Sequence, residues 1–229
     1  MAWQDDLYQQ ISRALPAPAS VSPHGSVLTP ALLDGWSDLD LHVHTPETVE
    51  LTALIGTQTI WAFDSAITNG SQVLRMVFID GRRLDLTIDA GGRVAQPVPA
   101  ADNNIRFTAA IAAAKLGRGD QLIGLHLTLD LLRRCLEQAM LLRDRDTGTS
   151  VHRHGSARDA LASTIARLAR RPLTIDPRPN VVELAVDLYG AWRHEGDPGY
   201  TPDWSGLDAV ITRGLGVSLA GNGRRQNGN

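Results

Sequence analysis

The chain has 229 residues, 43% of them hydrophobic, with a net charge of −3 and a pI near 6.1. That length allows one large domain or two small ones with a proper core, and the weakly acidic balance supplies no field to draw the chain onto DNA, RNA or anionic lipid. The one cysteine, Cys135, excludes a disulfide within the chain and a thiolate metal cluster, and no apolar run is long enough to span a bilayer.

Trp3 to Leu15 sets apolar residues at helical spacing among Asp5, Asp6, Gln9, Gln10 and Arg13, which predicts a short amphipathic helix ended by Pro16 and Pro18. Nothing there combines a basic stretch with an apolar core in the manner of a leader, so the expected compartment is the cytoplasm. Ser20 to Leu28 has room for a strand running into a Gly25-Ser26 turn. Ser37 to His44 alternates strictly, with Leu39, Leu41 and Val43 on one face and Asp38, Asp40, His42 and His44 on the other, the pattern of a half-buried strand. Thr45-Pro46-Glu47 predicts a helix start, Thr45 as N-cap and Pro46 at the first position, with the helix reaching about Ile55. From there to Asn69-Gly70 the pattern is ambiguous.

Val73 to Ile79 predicts a buried strand, and Asp80-Gly81 a hairpin turn with positive φ at both positions. Arg83 to Asp89 is the return strand, with Leu84, Leu86 and Ile88 inward and Arg83, Asp85, Thr87 and Asp89 outward. Gly91-Gly92 closes it, and Gln96 to Ala101, with Pro97 and Pro99, forms a linker. The period then changes. Asn103 to Leu116, Asp120 to Arg143, Ser156 to Arg170 and Val181 to His194 predict helices, and Trp204 to Arg213 a last short one. The expected fold is α+β: a small mixed β-sheet domain with flanking helices over 1–100, a C-terminal α-helical bundle over 101–215, and a disordered tail over 216–229.

The segment that carries chemistry is Gly25-Ser26, eleven residues, then Asp38-Leu39-Asp40-Leu41. Two carboxylates at i and i+2 of a strand project from one face, and like charges so close call for a cation. Hard oxygen ligands in that arrangement suit Mg²⁺ with phosphate oxygens completing its shell. The Gly25-Ser26 turn offers N–H groups and a hydroxyl to a phosphate. Asp85, outward on the hairpin strand, is a natural third carboxylate for a two-metal phosphoryl-transfer site.

Taken together, Gly25-Ser26, Asp38-Leu39-Asp40-Leu41 and Asp85 within Leu84-Asp85-Leu86-Thr87-Ile88 resemble the DNA polymerase β-like nucleotidyltransferase superfamily. Within it, the likeness is to bacterial nucleotidyltransferases that adenylylate aminoglycosides or lincosamides. Asp80-Gly81-Arg82-Arg83-Leu84-Asp85-Leu86-Thr87 is similar to the third-carboxylate segment of aminoglycoside 6-adenylyltransferases. Lys115-Leu116-Gly117-Arg118-Gly119-Asp120 resembles the helix junction of that group, where Glu often stands in place of Asp120. The resemblance covers roughly residues 20–145. Ser20 to His24, with Pro23, is less apolar than the usual first strand, and His42 and His44 are not part of the motif.

The resemblance implies that Asp38 and Asp40 hold Mg²⁺ on the phosphates of ATP or another NTP, with Gly25 and Ser26 at the β- and γ-phosphates. An acceptor hydroxyl on a small molecule attacks the α-phosphorus and pyrophosphate leaves. Asp85 is the first choice for the base, or else the third metal ligand. Asp120 or Asp130 is the second choice, and Lys115 and Arg118 are candidates to neutralise triphosphate charge. The implied partners are an NTP and a small hydroxylated acceptor, with no nucleic acid and no membrane. The rival is a non-catalytic module of the same fold, such as half of a toxin–antitoxin pair, acting through a protein partner.

Plainer roles stand beside these. Asp38 and Asp40 could form a solvated strand face, although Asp is disfavoured in strands. Lys115, the only lysine among 22 basic side chains, could simply meet a helix dipole. Gly117-Arg118-Gly119 could be a plain helix-to-helix turn. His126, Asp130, Arg133 and Glu137 form one polar stripe, either ion-paired in solvent or lining an acceptor pocket. His42 and His44 suggest an HxH metal site, but no other His/Asp cluster completes one, so they read as polar strand residues or nucleotide neighbours, and His152-Arg153-His154 reads as a solvated loop.

Overall fold

A computed structural model of the chain describes residues 2–151 and 153–222. The fold is mixed α and β: a five-stranded sheet with helices, followed by a helical C-terminal region. Two compact units are formed, one by the chain up to Phe107 together with the chain from Asp208 on, the other by Thr108–Leu207. The first unit therefore includes the start of the third helix and most of the last one, which the division at residues 100 and 215 assigned to the helical part.

In the first unit the elements are α1 (Ala2–Ala14), β1 (Ser20–His24), a 3-10 turn at Gly25–Leu28, β2 (Leu39–His44), β3 (Thr48–Val49), α2 (Leu51–Ile55), β4 (Ile60–Thr68), β5 (Ser71–Phe78), β6 (Arg83–Asp89) and β7 (Arg93–Val94). The large sheet has the order β1-β2-β6-β5-β4 and is antiparallel except for the central β2–β6 pair, which is parallel; β3 and β7 form a separate small pair. Period-two alternation makes one sheet face continuous and apolar. Leu39, Leu41 and Val43 of β2, Leu84, Leu86 and Ile88 of β6, and Leu74 and Met76 of β5 bury against Leu7 and Ile11 of α1 and Leu51 and Leu54 of α2. The opposite face carries the polar residues.

Several local expectations change. No helix starts at Thr45. The Thr45 hydroxyl donates to the Glu47 carbonyl (3.2 Å) and its carbonyl accepts from the Gly92 N–H (2.8 Å), tying the segment to the turn before β7; α2 begins only at Leu51. Tertiary pairing with β7 overrides the local capping signal. The ambiguous stretch is β4, joined to β5 by Asn69-Gly70, whose φ angles of 51° and 82° are the doubly positive pair that a two-residue hairpin requires. At Asp80-Gly81 only Gly81 (φ 80°) is positive. There a methyl group would meet the Ala209 backbone at 2.5 Å, so the glycine is also needed for the close approach of the last helix. Arg83, expected outward, is buried.

The second unit holds most of α3 (Asn103–Gly117), then α4 (Gln121–Thr147), α5 (Ala160–Leu168, preceded by a 3-10 turn at Ala157–Asp159), α6 (Val181–Gly196) and the start of α7 (Ser205–Asn222). α4 packs on α6 through Leu131, Leu132, Cys135 and Leu142 on one side and Val182, Ala185 and Val186 on the other. The Cys135 thiol donates to the Ala185 carbonyl at 3.3 Å, and burial pushes its pKa up to about 12, so it is an inert core residue. α6 starts on a capping box between Asn180 and Glu183. The helix expected to end at Arg213 continues to Asn222, across part of the segment expected to be disordered. Residues 223–229 and His152 lie outside the described residues. Among the described residues no helix is long and apolar enough to cross a membrane.

Candidate metal centre

Parallel pairing of β2 with β6 sets Asp40 directly beside Asp85, and antiparallel pairing of β1 with β2 sets His24 on the other side of Asp40. Side chains one residue apart point to opposite faces, so Asp40 and Asp85 share the polar face with the neighbours two positions on. Three rows run across β1, β2 and β6: His24, Asp40, Asp85; then Ser22, His42, Thr87; then Ser20, His44, Asp89. Asp38 precedes β2 and completes the first row's acidic cluster. Asp38, Asp40 and Asp85 each offer a carboxylate oxygen within 4.8 Å of the others, the spacing at which three carboxylates can hold one cation.

The electrostatics of the cluster would favour such a cation. Burial pushes the Asp85 carboxyl up to about 7, and repulsion from Asp38 and Asp40 adds to the effect. Arg75 and Arg83 pull the other way. Arg75, opposite Asp85 on β5, places Nε 3.5 Å from Asp85 Oδ2, and Arg83 places Nη1 3.5 Å from Asp38 Oδ2. At Asp85, burial and the two neighbouring carboxylates outweigh the two guanidinium groups, and a divalent ion in their midst would relieve that repulsion.

Gly25 sits at φ 69° immediately after β1, and a methyl group there would come 2.6 Å from Asp40 Oδ2. Both the left-handed backbone and the carboxylate's approach thus demand glycine, which makes the turn part of the acidic site. Ser26 follows in the 3-10 turn, where its carbonyl accepts from the Thr29 N–H at 3.0 Å. Gly25→Ala is expected to lower global stability by about 1–2 kcal/mol and to reduce any stabilisation by added Mg²⁺. Urea unfolding with and without Mg²⁺ measures both; a full Mg²⁺ effect in the variant would separate the turn from the site.

His42 and His44 do not form a second metal centre with Asp89. The carboxylate lies between the rings, with His42 Nε2 and His44 Nδ1 each 2.7 Å from one of its oxygens. Partial burial works to raise the Asp89 carboxyl, and the hydrogen bonds from His44 and His42 outweigh it and hold it below its ordinary value. Among the described residues, the group of His, Cys, Asp and Glu side chains close enough to hold a metal is Asp38, Asp40 and Asp85.

Lys115, Arg118, Asp120 and Asp130 all belong to the second unit. Asp120 is the N-cap of α4, accepting from the Ile123 N–H at 3.4 Å, and Lys115 Nζ stands 3.7 Å from its Oδ2. Arg118 lies in the α3–α4 turn, closed by Gly119 at φ 79°. Asp130 accepts from Arg133 Nη2 at 2.7 Å, and Arg133 also donates to Glu137, so this stripe is ion-paired along one helix face. Sequence reasoning missed the roles of Arg75, Arg83 and Asp89. Each depends on which strand lies beside which, and no local pattern carries that information.

No protein-family model matches the chain, and no curated protein matches it.

Proposed function

We propose that this chain is a cytoplasmic nucleotidyltransferase that moves a nucleoside monophosphate, AMP in the first instance, from Mg·NTP to a hydroxyl of a small molecule. The observation that carries this is the side-by-side placement of Asp40 and Asp85 in a parallel strand pair, with Asp38 and the Gly25 turn against them. Three carboxylates so close together on a sheet face repel one another, and a cation shared with phosphate oxygens is the chemistry that makes their placement favourable.

Asp38 and Asp40 would hold Mg²⁺ in this site, and Asp85 would serve as the third ligand or as the base. Bound there, Mg²⁺ would draw charge from the α-phosphate and from the departing pyrophosphate. The Gly25-Ser26 turn presents backbone N–H and a hydroxyl to the β- and γ-phosphates. Asp85, beside Asp40 on the same face, would accept the proton of the acceptor hydroxyl when it acts as the base. The acceptor oxygen then bonds to the α-phosphorus as its bond to the bridging oxygen breaks, and pyrophosphate carries away the electron pair. Hydroxyl-rich acceptors suit the two adjoining rows, Ser22, His42, Thr87 and Ser20, His44, Asp89. Aminoglycosides and lincosamides, which would make the biological role antibiotic resistance, are the first to test.

The test is pyrophosphate release from Mg·ATP with a panel of those compounds, with Asp38→Asn as control. Release that needs both an acceptor and Asp38 supports the proposal and narrows the acceptor class. Mg²⁺-dependent ATP binding without release points to another acceptor, whereas no nucleotide binding at all favours the non-catalytic module.

A further inference from the structure

Asp40 and Asp85 owe their places to the hydrogen-bond ladder between β2 and β6, but Asp38 lies just before β2, outside that ladder. Something else must hold its carboxylate. Arg83, the first residue of β6, is 5% exposed and joins two points: Nη2 donates to the Trp36 carbonyl, and Nη1 stands 3.5 Å from Asp38 Oδ2. A planar guanidinium can make both contacts at fixed geometry, which an ammonium cannot.

The Trp36 end of this bridge is itself fixed. Asp34 Oδ1 accepts from the Trp36 N–H at 3.0 Å and from the Ser37 hydroxyl at 2.9 Å, closing the turn before Asp38. The Trp36 ring is buried against Gly214 of α7 so closely that a methyl at 214 would overlap it. Gly35 meets the Arg213 carbonyl of the same helix, where an added methyl would lie at 2.5 Å. All of these residues belong to the first unit.

We infer that Arg83 is a positioning residue that sets the Asp38 carboxylate for a divalent cation, and that α7 acts on the same carboxylate at one remove, through Trp36. The inference rests on the metal-centre reading above. It makes a prediction whose sign opposes simple electrostatics. A cation beside an acidic site repels a second cation, so deleting the Arg83 charge alone should tighten metal binding. Deleting a positioning group should weaken it, as loss of partners behind a metal ligand generally does.

The experiment is Mn²⁺ titration of the full chain by calorimetry, with thermal melts, for wild type, Arg83→Met, Arg83→Lys, Gly214→Ala and Asp40→Asn. The expected result is Mn²⁺ affinity about tenfold or more weaker in Arg83→Met, only partly restored in Arg83→Lys, and weaker by a smaller factor in Gly214→Ala, which removes no charge. Tighter binding in Arg83→Met with unchanged binding in Gly214→Ala would overturn the inference while leaving the metal centre standing. Equal Mn²⁺ binding by wild type and Asp40→Asn would instead remove the metal centre, and the inference with it. If Arg83→Met does not fold, Arg83→Lys and Gly214→Ala decide by the same signs.

Discussion

Asp40→Asn is expected to abolish nucleotidyl transfer, by about a thousandfold or more, in a protein that folds as well as the wild type or better. Asp40 is the middle residue of its row, between His24 and Asp85, and its Oδ2 faces the Gly25 turn. An amide there keeps the shape and removes one ligand charge. Without metal, the same change relieves repulsion within the cluster, which should raise Tm by about 2–4 °C for each 1 kcal/mol relieved. Pyrophosphate release and differential scanning fluorimetry with and without Mg²⁺ measure the two effects. Activity within a few-fold of wild type, or an undiminished Mg²⁺-induced rise in Tm, would count decisively against the acidic triad as the reaction centre.

In the absence of divalent ions, stability is expected to fall as pH rises from about 4 to about 7 because of Asp85. The folded state holds the Asp85 proton up to about 7, whereas the unfolded chain releases it near the ordinary 3.8. Between those values the folded state binds more protons, so the contribution is full below about pH 4, is lost through the window, and levels off above 7. Its size is about 4 kcal/mol, from the separation of the two values. Asp89 acts in the opposite sense, but its folded value lies below 3.8, so its contribution is lost only at the acid end. Urea unfolding of wild type and Asp85→Asn across pH 4–8 isolates the effect of Asp85 and its coupling to Asp38 and Asp40, since groups remote from the cluster cancel in the difference. On the proposed function, Mg²⁺ would bind the deprotonated cluster, so added Mg²⁺ is expected to raise Tm by several degrees at pH 8 and scarcely at pH 5. A slope shared by Asp85→Asn, or a Mg²⁺ effect independent of pH, would contradict the electrostatics described for this carboxylate.

Both predictions concern residues visible as candidates in the sequence, because the features that mark them are local. Alternation from Leu39 to His44 puts Leu39, Leu41 and Val43 at 0% exposure and leaves Asp40 on the polar face. The same alternation does so for Leu84, Leu86 and Ile88 around Asp85. Helix periodicity marked α1, α3, α4 and α6 to within a few residues at each end, since a buried stripe recurring every third or fourth residue repeats within a single turn or two. The α+β order of the chain follows from those periods alone.

What the sequence by itself determined, then, was the type of most elements and the face on which each carboxylate lies. Tertiary structure decided the rest. That Asp85 stands beside Asp40, 45 positions earlier in the chain, depends on a parallel register between strands that are not neighbours in sequence. Arg83 is the clearest failure of local reasoning: its position in the alternation is the polar face, yet Trp36 and Asp38 enclose it and make a buried cation tolerable. The helix expected at Thr45 yields to backbone bonds with the turn before β7, and the chain from Asp208 returns to the first unit against Gly81, Gly35 and Trp36. Local propensities are worth tenths of a kcal/mol per residue, whereas partners from distant segments supply burial and hydrogen bonds worth several times that, and only the folded chain says which partners meet.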